Sequence, residues 1–531
     1  MFPTVLKLVV SAGVLFSVAL AHDVDFGYGA LFENSLEETL APVELSGSVP
    51  DWLTGTFLRN GPGRFDGPNG PKRNFTFAWD GYSKVQKYTF KDGKVSYQTR
   101  FLGNKWYNKS REINDIAPTL LFGTTVPPEK MSLKALMSKM NSQNVNIWRF
   151  GNESSSEERP VYTATTDIAE VARFEPEHLS GMPFEWADKL ILKINSAAHP
   201  QYLVGDNSVT INYAATPSML GFNTTIDIYK VTGNGMKRET IGTISMKTLP
   251  LIHSFGITDN FAVFTLWPIR WHMGCLMKFL PIAQCMVWDN SARSIIALVP
   301  LDGSNKIKYF DGEPTMAWHH INSYETKDAK TGDDLVVVDV NSCKSCGSAS
   351  AMSNMQLGII RNKALRDKEL SHTADPTIRR YTLNLKTGKT VSERDFGRKG
   401  EDGLWYNTSL LPRINDKYRG KKYCYVYLET AANAGSSPDY ADMALVKKDV
   451  CTDAPLKVWH VDFHYPSEPQ FLPNPSGATE DDGVLLSVVL DGKAKKSYLL
   501  TLDAKTFKEI SRVYIPFIQP TGLHGQYYED L

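Results

Sequence analysis

Ala317-Trp318-His319-His320-Ile321-Asn322-Ser323-Tyr324-Glu325 sets two adjacent histidines between an apolar run and a polar turn, in a chain with only 11 histidines. Successive side chains of an extended strand point to opposite faces. One of His319 and His320 therefore faces inward while the other faces away. An inward imidazole among apolar neighbours is costly unless it is hydrogen-bonded or bound to a metal. Taken alone, the pair reads as a hydrogen-bonded core histidine, so its meaning depends on the rest of the chain.

Outward from this stretch, and from about residue 44 onward, the sequence is that of a β-protein. Tyr88 to Tyr97 reads as two strands joined at Asp92-Gly93. The same grammar recurs at Ala297 to Tyr309 around Asp302-Gly303 and at Tyr381 to Val391 around Thr387-Gly388. Ile228 to Ile241 turns at Gly233-Asn234-Gly235, and Leu499 to Tyr514 is a further strand pair. Short strands at fairly regular spacing through so long a chain predict a propeller or a large barrel. No crisp repeat is visible, so any blades have diverged.

Two segments break the pattern. Lys130 to Met140, opened by Pro127-Pro128-Glu129, carries Met131, Ala135, Leu136 and Met140 at roughly helical spacing. Phe264 to Trp288 is rich in large apolar residues, with Arg270 and Lys278 its only clear charges. It reads either as a buried helical insertion or as a surface patch that dips into a bilayer.

The 531 residues carry 58 basic and 58 acidic side chains. This balance argues against nucleic-acid binding, which calls for a basic excess. Residues 1–21 read as a secretory signal: Lys7, the apolar run Leu8 to Leu20, then Ala19-Leu20-Ala21 as a cleavage pattern before His22. An uncleaved anchor is the alternative, since the run is nearly long enough for one. Sequons at Asn74, Asn108, Asn152, Asn223 and Asn407 fit a secreted glycoprotein. The six cysteines are Cys275, Cys285, Cys343, Cys346, Cys424 and Cys451. No second Cys-x-x-Cys accompanies Cys343 and Cys346, so a local disulfide or free thiols are expected there rather than zinc. Cys424 and Cys451 are plausible partners.

Four histidines lie in short, conspicuous contexts: Ala198-His199-Pro200, Ile252-His253-Ser254, Trp318-His319-His320 and Leu523-His524-Gly525. Their spacing matches no local metal motif but suits one histidine per inner strand of different blades, all converging on an axis. An all-imidazole site with open positions suits redox-active iron as well as zinc.

Together with Gly55-Thr56-Phe57-Leu58-Arg59-Asn60-Gly61-Pro62-Gly63, Trp79-Asp80-Gly81, Leu411-Pro412-Arg413-Ile414-Asn415, Tyr465-Pro466-Ser467-Glu468-Pro469 and Glu480-Asp481-Asp482-Gly483, these contexts resemble the carotenoid cleavage oxygenase family. The likeness covers nearly all of residues 40 to 531. It implies an all-β fold, a seven-bladed β-propeller with a helical and loop cap over the iron-bearing face. On that basis residues 22–43 are an N-terminal extension and residues 44–531 a single propeller domain with cap insertions. The resemblance implies Fe(II) held by His199, His253, His319 and His524, with His320 pointing away to support the fold. It also implies an apolar tunnel for a lipophilic polyene (a carotenoid, apocarotenoid or retinoid) and dioxygen as co-substrate. Residues 264–288 and the apolar segment Leu120-Leu121-Phe122 fall where the family's membrane-contacting patch belongs.

The family's carboxylates that accept N–H groups of the ligand histidines are only partly matched. Glu468 matches outright. Asp167, in Thr166-Asp167-Ile168-Ala169, keeps the carboxylate on a shorter stem, so a water is expected between it and its histidine. Leu410 stands where a third glutamate is expected, and His319 is then the histidine that lacks a carboxylate. Loss of such a partner typically costs ~10–100-fold in metal affinity or activity. The reading is therefore an Fe(II)-dependent dioxygenase that cleaves a polyene double bond to carbonyl products. A secreted carotenoid- or retinoid-binding protein with weak or no activity, and a retinoid isomerase or ester-cleaving enzyme, are the alternatives.

Overall fold

The computed structural model describes residues 26–531 apart from 71, 130, 152–158, 184–192, 218–222, 234–236, 344–354, 370–375 and 434–440. The signal segment 1–21, Asn152 and Cys346 lie outside the described residues.

The predicted hairpins form with antiparallel register. Tyr88 faces Tyr97, Leu298 faces Lys308, Leu383 faces Thr390, Ile228 faces Gly242 and Leu499 faces Val513. At the first of these turns Asp92 and Gly93 take φ of 50° and 72°. Two positive φ values in succession match the right-handed twist of the flanking strands, and glycine reaches them without steric cost.

Such hairpins accumulate into seven sheets of four to six strands, a seven-bladed propeller whose blades 1 to 7 take their strands from residues 39–101 with 525–528, 146–182, 195–246, 256–312, 316–395, 405–459 and 464–514, with two further two-stranded pairs outside them among the described residues. The ring is closed by the end of the chain. Gly525–Tyr528 pairs with Gly55–Arg59 and becomes the innermost strand of blade 1, so both termini share one sheet. Apolar faces of adjacent blades meet in common clusters. One of them, holding Phe57, Tyr88, Tyr97, Leu486, Leu499 and Val513, joins blade 1 to blade 7. Closing a sheet ring in this way leaves only short outer edges exposed.

The cap is built from the remaining pieces. They include the turn Tyr28–Phe32, the helix Lys105–Ile113, the loop carrying Leu120 to Phe122, and the helices Leu357–Ile360 and Lys363–Glu369. Asp80, from Trp79-Asp80-Gly81, accepts the backbone N–H groups of Phe122 and Gly123 at 2.8 Å each and fixes that apolar loop. The helical reading of Lys130 to Met140 shrinks to Leu133–Met137, because Lys139 takes a φ of 51° and ends it.

Phe264 to Trp288 is not one helical insertion. It finishes the strand Phe261–Leu266, then runs through the pair Ile269–Trp271 and Met286–Trp288 with two single-turn helices between them. Leu266, Trp267, Ile269, Trp271, Leu276, Ile282 and Met286 are buried, and of the segment's large apolar side chains only Met277, Leu280 and Val287 stand exposed. Most of its apolar content is therefore core. No helix among the described residues is long and apolar enough to cross a membrane. Disulfides join Cys275 to Cys285 and Cys424 to Cys451.

Blades 5 and 6 share a buried charge network. Asp339 is fully buried opposite Arg380 in blade 5, and accepts its Nε and Nη2 at 2.8 and 2.7 Å. It also accepts the Tyr423 hydroxyl, beside blade 6, at 2.6 Å. Removing one partner of a buried pair strands the other charge, which costs about 3–5 kcal/mol. Asp339→Ala should lose that much in equilibrium denaturation. A loss below about 1 kcal/mol, the worth of an exposed ion pair, would show that the network does not hold the two blades.

Candidate metal centre

Each of the four conspicuous histidines stands at the inner end of a blade. His199 precedes Gln201–Leu203 in blade 3, and His253 precedes Gly256–Ile257 in blade 4. His319 lies within Met316–Lys327 of blade 5, and His524 directly precedes the closing strand Gly525–Tyr528. One coordinating nitrogen from each lies within 4.8 Å of the others. Nε2 of His199 is 3.2 Å from that of His253, and Nε2 of His319 is 3.2 Å from that of His524. His320 turns the opposite way, as strand alternation requires. Its Nε2 meets the Thr265 hydroxyl at 3.0 Å, and burial pushes its pKa down to about 3.

The outer Nδ1 atoms differ in what they meet. His253 Nδ1 donates to Asp167, whose two oxygens lie 2.9 and 3.0 Å away. The shorter stem therefore needs no water. The Asp167 backbone is itself drawn in, its carbonyl accepting Ser196 N and Asn195 Nδ2. His524 Nδ1 donates to Glu468 Oε1 at 2.7 Å. Arg413 donates to the other Glu468 oxygen at 2.9 Å. The remaining two histidines meet amide nitrogens: His199 faces Asn146 Nδ2 at 3.4 Å and His319 faces Asn341 Nδ2 at 3.5 Å. No carboxylate among the described residues bonds to His319, and Leu410 lines the cavity nearby.

Electrostatics disfavour a proton on three of the four rings. Burial, and then the neighbouring histidines, hold His199 and His319 well below the ordinary imidazole range. Burial also lowers His524, against the pull of Glu468. Burial works to raise the Glu468 carboxyl, but Arg413 and His524 outweigh it and hold it at about 2. Neutral imidazoles backed by carboxylates on Nδ1 present their Nε2 lone pairs inward, which is the form a cation binds. Four nitrogen donors of this kind fit iron, and also other first-row dications.

The cluster is the floor between two cavities. On the cap side a cavity of about 330 Å³ is lined by Leu31, Trp106, Leu121, Phe122, Trp318 and Ile360, among others, with His253, His319 and His524 at its base. On the opposite side a larger cavity, about 700 Å³, meets His199 and carries Arg149, Arg413, Arg419, Lys421 and Asp416. The first suits an apolar ligand and the second suits water and ions.

Residues 32–529 match the family model described as retinal pigment epithelial membrane protein. The chain belongs to the carotenoid cleavage oxygenase family. The mouse β,β-carotene 15,15'-dioxygenase is 28% identical over 94% of this chain and 91% of its own length. The Arabidopsis thaliana chloroplastic carotenoid cleavage dioxygenase 8 is 26% identical over 91% of this chain and 82% of its own length. Among solved structures, a cobalt-substituted Synechocystis oxygenase of this fold superposes with a TM-score of 0.74 at 21% identity, covering 95% of this chain and 98% of that one. The family's carotenoid oxygenases thus share this chain's propeller.

Sequence reading brought His199, His253, His319, His524, Asp167 and Glu468 to this centre, and the fold gathers all six. It missed Glu429. This residue lies in the strand Tyr425–Asn433 with no motif around it, yet it lines the cap-side cavity and is only 7% exposed. Burial pushes its carboxyl up to about 8, against the pull of Arg59 and with a smaller push from Glu468. A carboxyl raised in the fold binds more protons there than in the unfolded chain, so its contribution to stability falls as pH rises from 4.5 towards 8. In the metal-free protein Glu429→Gln should therefore add up to about 3 kcal/mol near pH 7. The gain should vanish below about pH 4.5, the ordinary glutamate value. Denaturation curves at the two pH values check this, and equal stability of variant and parent at pH 7 would contradict it.

Proposed function

We propose that the chain is an Fe(II)-dependent dioxygenase that cleaves one double bond of a carotenoid or apocarotenoid. The observation that carries this reading is the four-histidine cluster, carboxylate-backed at His253 and His524, at the base of an apolar cavity. The reaction balances without an organic cofactor: one carbon–carbon double bond and one dioxygen give two carbonyl groups. Iron held by His199, His253, His319 and His524 would supply the redox activation of dioxygen.

The chain's own residues do the rest. Asp167 and Glu468 keep His253 and His524 in the tautomer that offers Nε2. Trp79, Phe122 and Trp318 pack edge to face in the cavity wall and shape a slot for a long conjugated chain. Excluding water there protects the reacting bond, and the slot's fit selects which bond lies over the cluster. The carotenoid oxygenase names of the relatives support this substrate class.

Secretion is part of the proposal. It rests on the segment 1–21, the two disulfides, and the exposed sequon asparagines Asn74, Asn108 and Asn223. The exposed tip Met277, Leu280 and Val287 is the proposed point of contact with a lipid surface that holds the substrate.

Purified protein loaded with Fe(II) and given β-carotene or an apocarotenoid under labelled dioxygen should yield aldehydes carrying the label. Asp167→Ala should retain the fold and lose ~10–100-fold of activity. A coloured ligand that stays bound and unchanged through aerobic incubation would favour the binding-protein reading. An isomerised alcohol in place of an aldehyde would favour the retinoid isomerase.

A further inference from the structure

A histidine that offers Nε2 to a cation carries its proton on Nδ1, and that N–H needs an acceptor. His253 and His524 have theirs in Asp167 and Glu468. His319 does not. Its Nδ1 faces the Asn341 amide nitrogen at 3.5 Å, while Asn341 Oδ1 is taken by the His319 backbone N–H at 2.8 Å. The amide is thus oriented by a good bond, and it turns a donor towards a donor.

Glu429 is the converse case. Its side chain is more than nine-tenths buried, and among the described residues nothing hydrogen-bonds to its carboxyl. It lines the same cavity as His319. In the register of blade 6, Glu429 lies directly opposite Leu410, and both line that cavity. Side chains directly opposite one another share a face, with Cβ atoms about 4.5–5.5 Å apart. Glu429 therefore projects beside Leu410, from the next strand outward.

Buried polar groups in folded proteins nearly all find partners, so an unmatched donor and an unmatched acceptor in one cavity call for each other. Trp79 Nε1 and Trp271 Nε1 are further unpartnered donors on this cavity among the described residues; among the histidines, the other candidates are excluded by position. His253 and His524 are already served. His199 lines the opposite, polar cavity and not the one that Glu429 enters.

We propose that Glu429 is the positioning residue for His319. When a divalent cation binds the four histidines, its carboxylate accepts the His319 Nδ1–H, directly or through one water. The role rests on the metal-centre reading given above, and it moves a carboxylate from one strand of blade 6 to its neighbour.

The test uses metal affinity as well as turnover. Parent, Glu429→Gln, Glu429→Leu and the exchange variant Leu410→Glu/Glu429→Leu are freed of metal. Each is then titrated with Fe(II) or Co(II) against a competing chelator, with the Co(II) absorption bands recorded and the fold checked by circular dichroism. Glu429→Leu should bind ~10–100-fold more weakly and shift the Co(II) bands. Glu429→Gln, which keeps shape and loses only the acceptor's charge, should fall between it and the parent. The exchange variant should recover both affinity and spectrum.

Parental affinity in Glu429→Leu and Glu429→Gln would overturn the proposal. So would a raised KM for the polyene with affinity unchanged, which would make Glu429 a substrate contact. A parent that binds no divalent cation would overturn the metal-centre reading itself, a result distinct from either of these.

Discussion

Four imidazoles crowded within 4.8 Å cannot all stay oriented and buried without help, and the rest of the molecule can be read as that help. Each buried ring must settle its proton on one nitrogen and find it an acceptor, or bear about 1–3 kcal/mol of unmet hydrogen bonding. At His524 the solution is complete: Glu468 accepts the proton and is itself held ionised by Arg413. At His253 Asp167 suffices, because the Asp167 backbone is drawn inward by Ser196 and Asn195. These contacts come from different blades, so orienting one ring fixes the stagger of its neighbours.

The ring closure follows from the same demand. His524 lies one residue before the strand that joins the end of the chain to blade 1. Its imidazole reaches the axis only when that strand is zipped in place. Closure and assembly of the cluster are therefore one event. Arg59, on the partner strand, is fully buried beside Gly522, where even a Cβ would collide with its guanidinium. Close packing on both sides of His524 leaves little freedom for the ring.

Much of this was legible in the chain because it depends on local grammar. Asp92-Gly93 and the other turn pairs declare hairpins wherever they occur. His319 and His320 declare opposite faces by adjacency alone. Leu120 to Phe122 and Phe264 to Trp288 were legible only as apolar, since apolarity does not distinguish a cavity wall from a core or an exposed patch. Only the packing separates buried Trp267 and Trp271 from exposed Met277 and Leu280. Helical periodicity at Lys130 to Met140 was overridden by the positive φ of Lys139, a backbone choice that side-chain spacing does not announce.

Glu429 was illegible for a more instructive reason. A motif fixes where a residue stands in the chain, whereas a hydrogen bond depends on where its atoms stand in space. Across an antiparallel pair, positions 410 and 429 are far apart in sequence and adjacent on one face. A carboxylate can therefore leave one and be supplied by the other while the cavity keeps its charge. Leu410, read along the chain, is a lost acceptor. Read across the sheet, Leu410 and Glu429 form an apolar–acidic pair that keeps one carboxyl on that face, and a burial that is costly for an unpartnered carboxyl becomes intelligible if a cation and His319 complete it.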